Sequence, residues 1–193
     1  MRIVFILTAI LMATHINAQK IIEWNGIYQL QLSDFKSPAT QIREGSVYSL
    51  YTGSRMDFSF YMSNAEFVFT KNFNSRVNCT FNRDAASLVA PDSLTASSLL
   101  QFSRYDFDLS ELYARKFRKK LYEGKGAFSS LSFFQPIYDE IQQELVERHT
   151  QAANQTDVGA NREKLGELHL EVSREIDALA DFCKSCKPGK KKK

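Results

Sequence analysis

Histidines are few in this chain, and the acids that stand close together on one predicted helix come late in the sequence. Asp106, Asp108 and Glu111 stand within six residues of one another, followed by Arg115. Beyond the first eighteen residues there are two histidines, His149 and His169. A carboxylate and a histidine within hydrogen-bonding reach would suit a hydrolase, provided the fold brings them together. Neither histidine has a second one three or four residues away, and each lies among polar residues. That pattern reads as surface histidines, because metal sites cluster their ligands. There is no G-x-S-x-G elbow, phosphate-binding glycine loop or cysteine–histidine arrangement. Cys79, Cys183 and Cys186 are the only cysteines. Cys183-Lys-Ser-Cys186 has redox-motif spacing, but it follows a helix and precedes lysines. A catalytic dithiol needs the start of a helix, where the thiol pKa falls. A structural bridge is expected, within the pair or to Cys79.

The elements that must position these groups fall into a strand-rich front and a helical back. Residues 22–32, 46–51, 57–62, 67–70 and 76–81 are short and rich in aromatic and β-branched residues, with Gly, Asn, Ser and Asp between them. Short connections predict antiparallel pairing. From Pro91 the period becomes helical: Leu99, Phe102, Tyr105 or Asp106, Leu109, Leu112 or Tyr113, and Phe117 recur at three- and four-residue steps. Asp92 is placed to cap this helix, and Gly124 and Gly126 to end it. The cations Arg115, Lys116, Arg118, Lys119 and Lys120 are read as facing water and complementing the helix dipole. Further helices are predicted over 136–150 and 162–182. The fold class is α+β, an antiparallel sheet followed by packed helices.

The run Phe107-Asp-Leu-Ser-Glu-Leu-Tyr-Ala-Arg115 resembles the helix of a bacterial family of predicted secreted zinc-dependent proteases, known mainly as a domain of unknown function. There an H-E-x-x-H motif, whose histidines bind zinc and whose glutamate activates water, runs directly into such a segment. Trp24 with Leu32-Ser-Asp-Phe-Lys-Ser-Pro38 is similar to the family's opening. Phe81–Val89 is similar to an F-x-x-x-x-S-W-V segment, with Leu88 in place of the tryptophan. Gln155–Asn161 resembles E-T-x-H-G-x-N, whose histidine is a third zinc ligand. The resemblance implies a zincin-like arrangement. It also places Phe102, Ser103, Asp106 and Val158 where the two motif histidines, the glutamate and the third histidine would stand, so none of the functional residues is kept. Zinc is therefore disfavoured, no cofactor is expected, and no catalytic residue is expected at those four positions. Asp106, Asp108, Glu111 and Arg115 are read as a remnant site. Asp106, on the apolar stripe, needs a partner: Arg104, Arg115 or a residue of another helix.

Residues 1–18 read as a secretory signal. Arg2 precedes an apolar run from Ile3 to Ala13, and Ala18 closes the segment with Ile16 two residues before it. The run is shorter than the ~20 apolar residues of a spanning helix. Cleavage after Ala18 and a secreted or periplasmic location are expected, with one domain over 19–182 and a basic, disordered tail over 183–193. The chain carries +3 overall. Setting aside Arg2 and the six lysines after Phe182 leaves −4, so the basic character belongs to the tail and nucleic acid is not an expected partner. Lys187 and Lys190, Lys191, Lys192 and Lys193 are candidates for holding an anionic envelope surface. The expected function is a non-catalytic relative of the zinc-protease-like family with a binding or structural role in the envelope. The alternative is a hydrolase with a relocated or divergent metal site.

Overall fold

The computed structural model describes residues 20–59, 61–126 and 129–189. The expected signal segment with its cut after Ala18, and Lys190–Lys193, lie outside the described residues. Among those described, no helix is long and apolar enough to cross a membrane.

The fold is mixed α+β. Strands β1 (Ile21–Glu23), β4 (Ser54–Phe58) and β5 (Val77–Asn82) form one sheet in the order β1-β5-β4. Both pairings are antiparallel, with Ile22 opposite Phe81 and Met56 opposite Cys79. Strands β2 (Gln41–Ile42), β3 (Ser49–Tyr51) and β6 (Ser87–Ala90) form a second sheet with β6 central. Here β3 is antiparallel to β6 but β2 is parallel to it. The front of the chain therefore builds two small sheets, where one antiparallel sheet is expected from the sequence. The parallel pair has no hairpin: its partners are far apart in the chain, so turn geometry does not fix their direction.

The strand expected over 57–62 runs instead over 54–58, and two local signals explain two further departures. The strand expected over 22–32 stops at Glu23 because Asn25 starts a turn. Its side-chain oxygen accepts from the Ile27 and Tyr28 amides at 2.9 and 2.8 Å, and Gly26 takes φ +75°. The strand expected over 67–70 is instead the end of helix α1 (Asn64–Phe69). Ser63 caps it, accepting from the Glu66 amide at 3.1 Å, in the Ser-x-x-Glu spacing that starts helices.

Helix α2 (Ser93–Gly124) is the axis of the molecule. Asp92 caps it, accepting from the Thr95 amide at 2.7 Å, and it ends at Gly124. It packs against β4, β5 and β6 on one side and against helices α3 (Phe134–Thr156) and α4 (Arg162–Ala178) on the other. Being covered on both sides, it buries Leu99, Phe102, Tyr105, Leu109, Leu112 and Phe117 almost completely. Pro136 sits in the first turn of α3, where its missing N–H is harmless. Asn161 caps α4 through the Lys164 amide. Aromatic rings close the far end of the core: Phe134 meets Phe58, Phe67 and Phe73 edge-on at 5.0, 5.4 and 5.1 Å.

The turn from α3 to α4 is tight. Asp157, Val158 and Gly159 all have positive φ, at 47°, 48° and 94°. A side chain on Gly159 would meet the Ser98 carbonyl oxygen of α2 at 2.4 Å and the Phe102 Cβ at 3.2 Å. Gly159→Ala is expected to destabilise the protein by more than about 1 kcal/mol. Urea unfolding of the two proteins would measure the difference, and an unchanged midpoint would remove this close approach from the account.

Candidate functional site

Asp106 and Asp108 are two residues apart on α2, so they leave the helix about 200° from one another, at ~100° per residue. Each meets a different helix. Asp106 Oδ1 lies 2.6 Å from His149 Nδ1 on α3. Its Oδ2 accepts from the Thr52 hydroxyl at 2.5 Å. Asp108 Oδ2 lies 2.6 Å from His169 Nε2 on α4, and its Oδ1 accepts from the Trp24 indole N–H at 2.7 Å. Every oxygen of both carboxylates is engaged. The histidines are thus inter-helix partners of α2, in contrast to the free surface positions read from the sequence. Phe102 and Tyr105 complete the setting: the Phe102 ring lies 5.5 Å from that of His149, and the Tyr105 ring 5.9 Å from that of His169.

The partner that Asp106 needs comes from α3 and from the segment before β4, while Arg104 donates elsewhere, to the Leu30 carbonyl at 2.8 Å. Phe102 is buried. Ser103 is buried too and donates its hydroxyl to the Leu99 carbonyl of its own helix at 3.0 Å. Val158 is half-buried and packs on the core. Its neighbour Gly159 rests on Ser98 and Phe102. The turn carrying Val158 therefore lies on the Phe102 region of α2. As a zinc site these residues do not fit: two are hydrocarbon, one hydroxyl is spent within its helix, and both oxygens of Asp106 are taken.

Asp106 and His149 open on a cleft of about 410 Å³. Its walls mix polar residues, Thr52, Ser54, Arg55 and Asp57 among them, with apolar Met56, Leu145 and Val146. Asp106 bonds Nδ1 of His149, so the ring's other nitrogen, Nε2, is the one left for proton transfer or binding. The hydrogen bond to Asp106 raises the His149 pKa, burial opposes it, and the carboxylate charge adds to the rise.

Glu111 and Arg115, the other half of the expected remnant site, form a second cluster with Arg118. Glu111 Oε1 accepts from Arg115 Nε at 2.9 Å and from Arg118 Nη1 at 2.8 Å, all three residues being buried. Arg115 also donates to the Ile176 carbonyl at 2.8 Å. Arg118 donates to the Phe182 and Val77 carbonyls at 3.1 and 2.8 Å. These two arginines are not the water-facing cations read from the sequence. Carbonyls at the end of α4 draw Arg115 inward, and those of the turn after it and of β5 draw in Arg118. Lys120 of the same run does lie outside, paired with Glu140 and Glu144.

Cys183 and Cys186 are joined by a disulfide, and Cys79 is a buried thiol donating to the Phe107 carbonyl at 3.7 Å. Burial is the largest cause that pushes the Cys79 pKa well up, with Glu111 next, which makes it a poor nucleophile. The disulfide loop is tied down: Asn72 and Asn74 donate to the Cys186 carbonyl at 3.1 and 3.0 Å. Comparison of the chain with family models, curated proteins and solved structures finds no match.

The His149 pair has a pH signature. A pKa raised in the folded state means that its stabilisation is fully present below the unfolded value, about 6.5, and is lost as pH rises through the folded value. An NMR titration of His149 should give a midpoint above that of a model histidine, and Asp106→Asn should lower it. A midpoint indifferent to that substitution would contradict the pairing.

Proposed function

We propose that this chain is a secreted or periplasmic, non-catalytic relative of the zinc-protease-like family, with a zincin-like core and a binding or structural role in the envelope. The observation that carries this reading is the fate of four positions. Phe102, Ser103 and Asp106 lie on one buried helix, and the turn bearing Val158 rests against that helix beside Phe102. The resemblance asks for that juxtaposition, since residues from a helix and a later turn must meet at one metal. Phe102 and Val158 fill the space with carbon, and Ser103 and Asp106 spend their polar atoms on the Leu99 carbonyl, His149 and Thr52, so the framework serves packing in place of metal chemistry. The signal-like leader supports the location.

The test is restoration. A variant with Phe102→His, Ser103→Glu, Asp106→His and Val158→His should bind one equivalent of zinc, while the unaltered protein retains none after dialysis. Metal content by plasma spectrometry reads both. Stoichiometric zinc in the unaltered protein, or a folded fourfold variant that takes up none, would sink the proposal.

A second reading has one observation in its favour: His149, oriented by Asp106, lines a cleft of mixed polar and apolar walls. A carboxylate holding Nδ1 is the arrangement that lets Nε2 act as a general base. On this reading the protein is a hydrolase that has relocated its chemistry to α3. Turnover of simple esters or peptides that vanishes in His149→Gln, in a variant that still folds, would favour it over the non-catalytic one.

A further inference from the structure

We infer that the protein binds a small organic carboxylate in a second cavity, on the opposite side of α2 from the Asp106 cleft. The inference does not depend on the family reading. This cavity, about 610 Å³, falls within the usual ~300–1,000 Å³ of small-molecule sites. Trp24 and Cys79 supply apolar wall, Arg115 and Arg118 line it with Glu111, and Lys184 of the disulfide loop stands with them.

Charge and hydrogen bonding point to the ligand class. Two buried guanidinium groups share the single carboxylate of Glu111, which has both oxygens on them. Lys184 is matched separately by Glu23, at 2.6 Å. Asp108 does not complete the cluster, because its oxygens hold the Trp24 indole and His169. One positive charge is left over in a buried setting, where an unmatched charge is costly. Arg115 lines the cavity, and its Nη2 meets no acceptor among the described residues, its Nε and Nη1 being taken by Glu111 and the Ile176 carbonyl. A carboxylate would satisfy both wants at once, since charged hydrogen bonds to guanidinium are the strong ones. The Trp24 ring, with the Arg115 guanidinium over it at 5.4 Å, offers an apolar face to the body of such a ligand. A bare inorganic anion would leave that wall unused. The carboxylate could belong to a free organic acid or to the C-terminus of a peptide.

Trp24 is the only tryptophan in the chain, so its fluorescence reports this cavity directly. The probes are phenylacetate for a free acid, N-acetylphenylalanine for a peptide end, N-acetylphenylalanine amide as the uncharged counterpart, and sulfate. Saturable change in Trp24 emission is expected with one or both acids, and the tighter of the two identifies the source. The amide should bind at least about tenfold more weakly, a difference of one charge-assisted contact. Arg115→Lys keeps the charge and removes the Nη2 donor, and should weaken acid binding by a similar factor. Should that variant fail to fold, Lys184→Glu at the cavity wall takes its place, with weaker acid binding again expected. No saturable change with either acid, equal binding of the amide, or sulfate competing as well as the acids would overturn the inference. So would a folded Arg115→Lys, or its Lys184→Glu replacement, that binds the acids unchanged.

Discussion

The carboxylate of Glu111 is the acceptor on which the packing of the helical layer turns. It sits in the middle of α2, buried, and holds Arg115 and Arg118 inside the protein. Those guanidinium groups in turn reach the carbonyls of Ile176, Phe182 and Val77. One carboxylate thus ties together the end of α4, the turn after it and strand β5. A pair of buried guanidiniums without this acid would leave charge stranded in the core, and breaking such a pair from one side typically costs ~3–5 kcal/mol. The orientation of α4, and with it the position of His169, follows from that anchor.

The two histidine pairs then divide the labour along α2. Asp106 fastens α3 through His149, and Asp108 fastens α4 through His169. Because the two acids leave the helix on different sides, one short stretch of chain addresses both neighbouring helices and, through Thr52 and Trp24, the strand-bearing front as well. A segment with this many polar obligations in its interior is specified by them. Shifting α3 along α2 by a single turn would unpair the buried carboxylate of Asp106, and shifting α4 the half-buried one of Asp108, so the register of the helical layer is set by these acids as much as by its apolar faces.

Much of this was legible in the sequence, and the limits have physical causes. The three long helices were legible, α2 above all through its apolar period and its cap at Asp92, because that signal is local. The strands are two to six residues long and carry little periodicity, so Phe67–Thr70 reads as a strand until the Ser63–Glu66 cap is weighed. The pairing of β2 with β6 depends on contacts that no local pattern encodes. The histidine pairs were hidden for the same reason: His149 is 43 residues from Asp106, and His169 is 61 from Asp108. One clue was available. Two acids stood on a helix with apolar stripes, and the body of the chain held just two histidines. The fate of Arg115 and Arg118 was misread because a run of cations at a helix end suits water equally well. Only the end of α4, brought against them by the fold, decides which of them turn inward.

The turn between α3 and α4 has a further consequence. Val158 holds φ +48°, a left-handed backbone that a β-branched residue adopts only under compulsion from its surroundings. Glycine or asparagine would be at ease there. An unbiased search for thermostable variants of this protein should therefore find Val158 early, and what such a variant gives up in exchange would show what the compulsion is for.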